Sequence, residues 1–260
     1  FKIPTATQDD LPGCFLFHSI VQGKCIFAPK GKLWLNKHKW NAKCTIEENV
    51  KAYADDLKNF TEHIKNKTQH FEEPVNFFCV EAPGKYANTF EQYTDFFRQI
   101  MSNLAPDAIS TLEHLKKNED GFYPKDQKHE WKFTINDVQF FVITTCKLYD
   151  KKSSRYSGGK KQDGVLIMFQ PMYSFEWKFA EFEKEDGGDK NQAKNIIRKN
   201  FDNAGRPFHS GHFWSTLNGE EYHEAPKYLL PLNECGGSIA WWVGLVAFTP
   251  ALEAKAAEAE

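Results

Sequence analysis

Between two strand-like stretches, residues 138–145 and 165–173, lie Cys146, Tyr149, Ser153, Ser154 and Arg155, with a run of lysines from Lys151 to Lys161. Thiolate and phenolate both serve as anionic axial ligands to haem iron, and Arg with Lys suits a propionate or a substrate carboxylate. The same residues also have plain structural readings. Cys146 can be a small buried apolar residue, Tyr149 a ring at the edge of the core, and the lysines a solvated loop. Apolar strands on both sides of a polar loop are how a rigid sheet presents reactive groups at its edge. The expectation is therefore that Cys146 or Tyr149 faces an enclosed, aromatic-walled cavity.

A second constellation is His209-Ser-Gly-His212, followed by His223 and Glu224. Two histidines and a carboxylate are the ligand types of zinc or of a non-haem iron triad. The spacing is not that of HExxH, and Gly211 points to a turn, so loop histidines are the plain alternative. Cys14 or Cys146 with His18 or His209 would supply a nucleophile and a base. No local signature supports that pair.

Several elements must position these groups. Trp131-Lys-Phe-Thr-Ile135 and residues 138–145 flank Asn136-Asp137, a two-residue hairpin signal of the primed type. Thr45 with Glu48 forms a capping box, and Val50, Tyr53, Leu57, Phe60 and Ile64 then repeat at helical spacing to about Lys67. Residues 75–80 read as a buried strand. Thr89 caps a helix with Phe90, Tyr93, Phe97, Ile100, Met101 and Leu104 on one stripe. Pro106 interrupts it, and a third helix carries Ile109, Leu112 and Leu115. The run 165–173 re-enters as a strand, 184–189 is a loop, and a short helix holds Ala193, Ile196, Ile197 and Phe201. Residues 239–248 read as a buried C-terminal segment and 251–260 as a solvated Ala/Glu tail. The order of elements predicts one α+β domain over residues 1–250, with a central, mostly antiparallel sheet covered by helices.

Composition narrows the function classes. The chain has 260 residues, 33 basic and 35 acidic, for a net charge of -2. No global field draws it to nucleic acid or to an anionic membrane. Six cysteines without a CxxC pair are too sparse for a disulfide scaffold. No GxGxxG or GxxxxGK[ST] occurs, so nucleotide-phosphate chemistry is unsupported. No apolar run approaches the roughly 20 residues that span a bilayer. The expected protein is soluble, cytoplasmic ahead of secreted or lumenal, with a small-molecule ligand or substrate as its partner.

Phe140-Phe-Val-Ile, then Ser154-Arg155, then Met168-Phe-Gln-Pro171 and Phe175-Glu176 resemble the central signature of the YqcI/YcgG family. Pro12-Gly-Cys14 is similar to its early Pro-Cys, and Glu224-Ala-Pro-Lys-Tyr-Leu-Leu-Pro231 to its late motif. Some members are haem-dependent N-oxygenases acting on guanidino or amino nitrogens. The resemblance implies haem held by Cys146 or Tyr149, with Arg155, Ser154, Gln170, Cys14, Glu224 and Tyr228 around it, and His209 or His212 lining the far side. The chain departs from the family where Tyr149 or Cys146 replaces a loop His, Met172 an Arg, and Lys227 a Gln. These departures motivate two alternatives: a binding or storage protein that has lost the chemistry, and a non-haem metal enzyme using His209, His212 and Glu224.

Overall fold

The structure is a computed structural model that describes residues 24–28, 31–34, 36–110, 112, 133–157, 163–206, 225–232 and 241. Helix α1, Ile46–Gln69, begins at the expected capping box: Thr45 Oγ1 accepts from the Glu48 amide, and the Glu48 carboxylate accepts from the Thr45 amide. Its apolar stripe, Val50, Tyr53, Leu57, Phe60 and Ile64, is buried. Strand β1, Phe78–Pro83, follows and runs into a 3-10 turn, Gly84–Ala87. Helix α2, Phe90–Leu104, is capped by Thr89 and ends where Pro106 denies it a further amide donor; α3, Pro106–Ser110, restarts there. Leu115 lies outside the described residues.

Strands β2, Phe133–Ile135, and β3, Val138–Cys146, form the expected hairpin. Asn136 and Asp137 take φ of 48° and 62°, the left-handed pair that a type I′ turn requires and that Asn and Asp tolerate. Strand β4, Gly164–Pro171, is central in the sheet order β1-β4-β3-β2, with every pairing antiparallel. All eight of its residues are buried, as a strand covered on both faces and both edges must be.

The expected strand through Tyr173 is shorter than its apolar run. Pro171 ends it, and Met172–Asp186 is helix α4. Aromatic and charged residues are interleaved there without a clean apolar stripe, so periodicity did not reveal it. Gly187, at φ 66°, closes α4 in the left-handed conformation, and Asp189 caps α5, Lys190–Asn203. A short helix, α6, Ala225–Tyr228, follows. No described helix is long and apolar enough to cross a membrane.

Register places the aromatic residues in rows. Phe78 pairs with Phe169, and Phe133 with Phe140. The Phe169 ring meets Phe78, Phe133 and Phe140 at 6.2, 5.9 and 6.3 Å, and Phe60 reaches down from α1 to Phe78 at 5.7 Å. Helices α1 and α2 cover this face. The opposite face buries Leu33, Phe77, Cys79, Leu166 and Met168. Removing the Phe169 ring leaves a void that three other rings cannot all fill, so Phe169→Ala is expected to lower unfolding stability by about 3–5 kcal/mol. Urea denaturation measures this, and a loss below about 1 kcal/mol would show that the aromatic rows are not what holds the sheet to α1.

Candidate functional site

The bend after β3 is folded back onto the strand by its own short polar side chains. Asp150 Oδ1 accepts from the amides of Lys152 and Ser153 at 2.8 and 3.2 Å, and Ser153 Oγ accepts from the Arg155 amide at 3.0 Å. Thr145 Oγ1 then donates to the Arg155 carbonyl and pins the bend to the last turn of the strand. Tyr149 is thereby driven inward. Its ring is 1% exposed and meets the fully buried ring of Tyr93, from α2, edge to face at 6.1 Å.

Sequence-distant segments converge here. Among the described strands, β2 pairs with β3 only as far as Phe140. Helix α6 and the residues after it lie along the remainder of that edge. Thr144 Oγ1 donates to the Tyr228 carbonyl at 2.7 Å, Tyr228 Oη donates to the Phe140 carbonyl at 3.0 Å, and Tyr149 Oη donates to the Leu230 carbonyl at 2.8 Å. Trp241 closes the group, its Nε1 donating to the Ala225 carbonyl at 2.7 Å and its ring meeting Phe97 at 4.8 Å. Among the described residues the hydroxyl of Tyr93 is sealed from solvent and makes no well-formed hydrogen bond, with the Thr144 and Tyr149 hydroxyls as its polar neighbours, and the buried Ser157 Oγ two residues beyond Arg155 makes none.

Electrostatics follow from this burial. The Cys146 thiol, 0% exposed, is pushed up to about 12 by desolvation, against the lowering pull of the Leu148 and Tyr149 amides and of Lys147. Burial raises Tyr149, and negative charge on Cys146 would raise it further, while Arg155 and the Thr144 and Tyr93 hydroxyls oppose this. Tyr93 is raised well above the usual phenol range, again by burial first. Arg155 is half-buried, and its Nε has no contact with solvent. Burial lowers its pKa, opposed by the nearby phenols of Tyr149 and Tyr93. The site is thus a cation set among neutral hydroxyl groups.

Of the residues expected from the sequence, Cys146, Tyr149, Arg155 and Tyr228 come together. Ser154 is half-buried in the bend beside Arg155. Gln170 sits at the far end of β4: Cys146 pairs with Val165 and Phe141 with Gln170, which separates them by about 17 Å at the usual strand rise. Its amide nitrogen donates to Ser174 Oγ at 3.1 Å. Cys14, His18, His209, His212 and Glu224 lie outside the described residues. Among the described residues no three His, Cys, Asp or Glu side chains assemble into a metal site. In the sequence Tyr93 reads as part of an apolar helix stripe and Thr144 as part of a strand; the signal that marks them is that a hydroxyl in a buried stripe needs a partner.

Haem can be tested against this geometry. An axial thiolate or phenolate offers a lone pair from a deprotonated atom. Tyr149 instead donates its proton to the Leu230 carbonyl, and the Cys146 thiol is fully buried, so either could ligate iron only by giving up that proton, and Tyr149 its hydrogen bond as well. Arg155, with the Tyr93 hydroxyl near it, fits the anionic end of a ligand, propionate included.

These shifts carry a sign. Groups whose folded pKa is raised favour the fold in their protonated form. That contribution is complete below the unfolded values, 9.0 for Cys146 and 10.0 for Tyr93 and Tyr149, and is lost as pH rises through the folded ones. The urea midpoint is therefore expected to change little between pH 7 and 9 on their account and to fall above pH 9. Tyr149→Phe leaves the Leu230 carbonyl without its donor and is expected to cost about 1–3 kcal/mol. A midpoint as high at pH 10.5 as at pH 8, or a neutral Tyr149→Phe, would contradict the neutral, donor state assigned to these groups.

A search of curated proteins and a search of solved structures each found no match. The model of the YqcI/YcgG family matches residues 24–235, a span that holds both the β3 bend and the segment docked on it. The chain therefore belongs to the YqcI/YcgG family.

Proposed function

We propose that this chain binds a carboxylate-bearing small molecule at the Arg155 end of the buried seam, as a ligand-binding or storage protein rather than an oxygenase using Cys146 or Tyr149. The observation that carries this reading is the Tyr93 hydroxyl, sealed from solvent and without a well-formed hydrogen bond among the described residues, within electrostatic reach of the half-buried Arg155 guanidinium. Buried polar atoms without partners concentrate where a ligand or ordered water completes the set. A guanidinium in a poorly solvated setting prefers a carboxylate, which it can meet with two parallel hydrogen bonds.

Binding is favoured over catalysis because, of the candidate iron ligands that are described, Tyr149 is engaged as a structural donor and Cys146 is fully buried. Haem belongs to the proposed ligand class through its propionates, as the family resemblance implies. Its iron would then be met by a group other than Cys146 or Tyr149. When bound, haem would supply redox chemistry, while the residues described here would hold and orient its carboxylate.

The test titrates haemin, iron-free protoporphyrin IX and benzoate separately into the full chain, followed by absorbance and calorimetry. At least one carboxylate is expected to bind, and Arg155→Ala is expected to weaken it by about tenfold or more, the loss of one charge-assisted contact. If haemin binds, the Soret band is expected to keep its position in Tyr149→Phe and Cys146→Ala. A Soret shift in either variant would restore the axial-ligand reading. Unchanged binding in Arg155→Ala, or no binding of any of the three, would overturn the proposal.

A further inference from the structure

Helix α5 is poorly covered by the rest of the described chain. Its stripe Ala193, Ile196, Ile197 and Phe201 has helical spacing, yet only Ala193 is buried, and Ile196 is 41% exposed. A helix of this length is marginal in water by itself and owes its stability to packing of its apolar face. From that stripe Ile196, flanked by Gln192 and Asn195, lines an open cleft of about 700 Å³ between α4 and α5.

The cleft has a definite chemistry. Its apolar lining is Ile26, Phe27, Phe182 and Ile196. Gly188 fixes the hairpin between the helices, because a Cβ there would stand 2.5 Å from the Phe182 ring. Lys178, 3% exposed, lines the cleft too, but its ammonium is held by Glu181 at 2.7 Å and Glu73 at 3.6 Å. Its charge is therefore compensated within the protein. Glu185 and Asp186, both exposed, remain on the rim and give the groove a negative edge. The lining positions on α4 recur at helical spacing over 178–186, so the groove follows the helix axis for about 13 Å.

We propose that this groove is a docking site for a short, basic amphipathic segment of a partner protein, its aliphatic side chains covering Ile196 and Phe182 and its Lys or Arg residues meeting Glu185 and Asp186. An elongated apolar trough between two helices with a charged rim is the form that receives an amphipathic helix. The acidic rim selects the charge of the partner more than it adds affinity. The groove shares no lining residue with the Arg155 seam, so the two proposals stand or fall separately.

Fluorescence anisotropy of a fluorescein-labelled Leu/Lys amphipathic peptide against the full chain tests it, with the Leu/Glu counterpart as control. The Leu/Lys peptide is expected to bind, the Leu/Glu peptide about tenfold or more weakly. Ile196→Asn and Glu185→Lys are each expected to reduce Leu/Lys binding several-fold. Both positions are exposed, so an unchanged urea midpoint shows that the fold is intact. Equal binding of the two peptides, no binding, or full binding to Ile196→Asn overturns the proposal. So does sedimentation showing a dimer that Ile196→Asn dissolves, since a second copy would then cover the face.

Discussion

The edge of β3 beyond Phe140, which no described strand pairs, sets the terms for the site. A strand with unpaired backbone groups invites pairing with other chains unless something lies along it. Here the cover is a short helix and the residues after it, tied by Thr144 to the Tyr228 carbonyl, by Tyr228 to the Phe140 carbonyl and by Tyr149 to the Leu230 carbonyl. Each such bond contributes only about 1 kcal/mol net, but removing one donor strands a buried carbonyl at a larger cost. The three act on one segment and fix its position along the strand.

These bonds determine what the hydroxyls can do, and burial determines it for the Cys146 thiol. A group that closes an edge must stay protonated to donate, and burial enforces that state by disfavouring the anion. Tyr149 and Cys146 thus carry the residue types of a reactive site while occupying structural positions. Arg155 differs in kind, since it brings charge into the seam and no desolvation can neutralise it at ordinary pH. A guanidinium held beside Tyr93 by a bend of internally bonded Asp and Ser residues has defined coordinates before any ligand arrives. Preorganisation of that kind lowers the ordering cost of binding.

Local rules were legible in the sequence, and long-range ones were not. The capping box of α1, the Thr89 cap, the Pro106 break and the Asn136-Asp137 turn are written in adjacent residues and occur as read. The α+β class follows from their order. Helix α4 escaped because its aromatic and charged residues show no single stripe, and Pro171 ends a strand while starting a helix. In the site, the bend and the late motif were both found. That Tyr149 donates across 81 positions to Leu230 depends on tertiary packing, which no spacing encodes. Gln170 belongs to the same motif as the bend, but β4 carries it to the opposite end of the sheet from Cys146, a separation that motif order does not encode.

The two candidate surfaces also differ in how firmly the fold holds them. The seam is anchored to β3, whose neighbour β4 is buried at every position, so it moves only if the sheet opens. Among the described residues helix α5 packs mainly on α4, and of its apolar stripe Ile197 and Phe201 are half-buried and Ile196 is exposed. Stability is uneven across a protein, and elements with few buried apolar contacts open at lower free energy than the core. A rigid seam suits recognition of a small ligand, for which misplacement of the guanidinium by an ångström forfeits the paired hydrogen bonds. A loosely packed helix hairpin suits a protein segment, because a partner seated on α5 would bury the Ile196 face that the described chain leaves open.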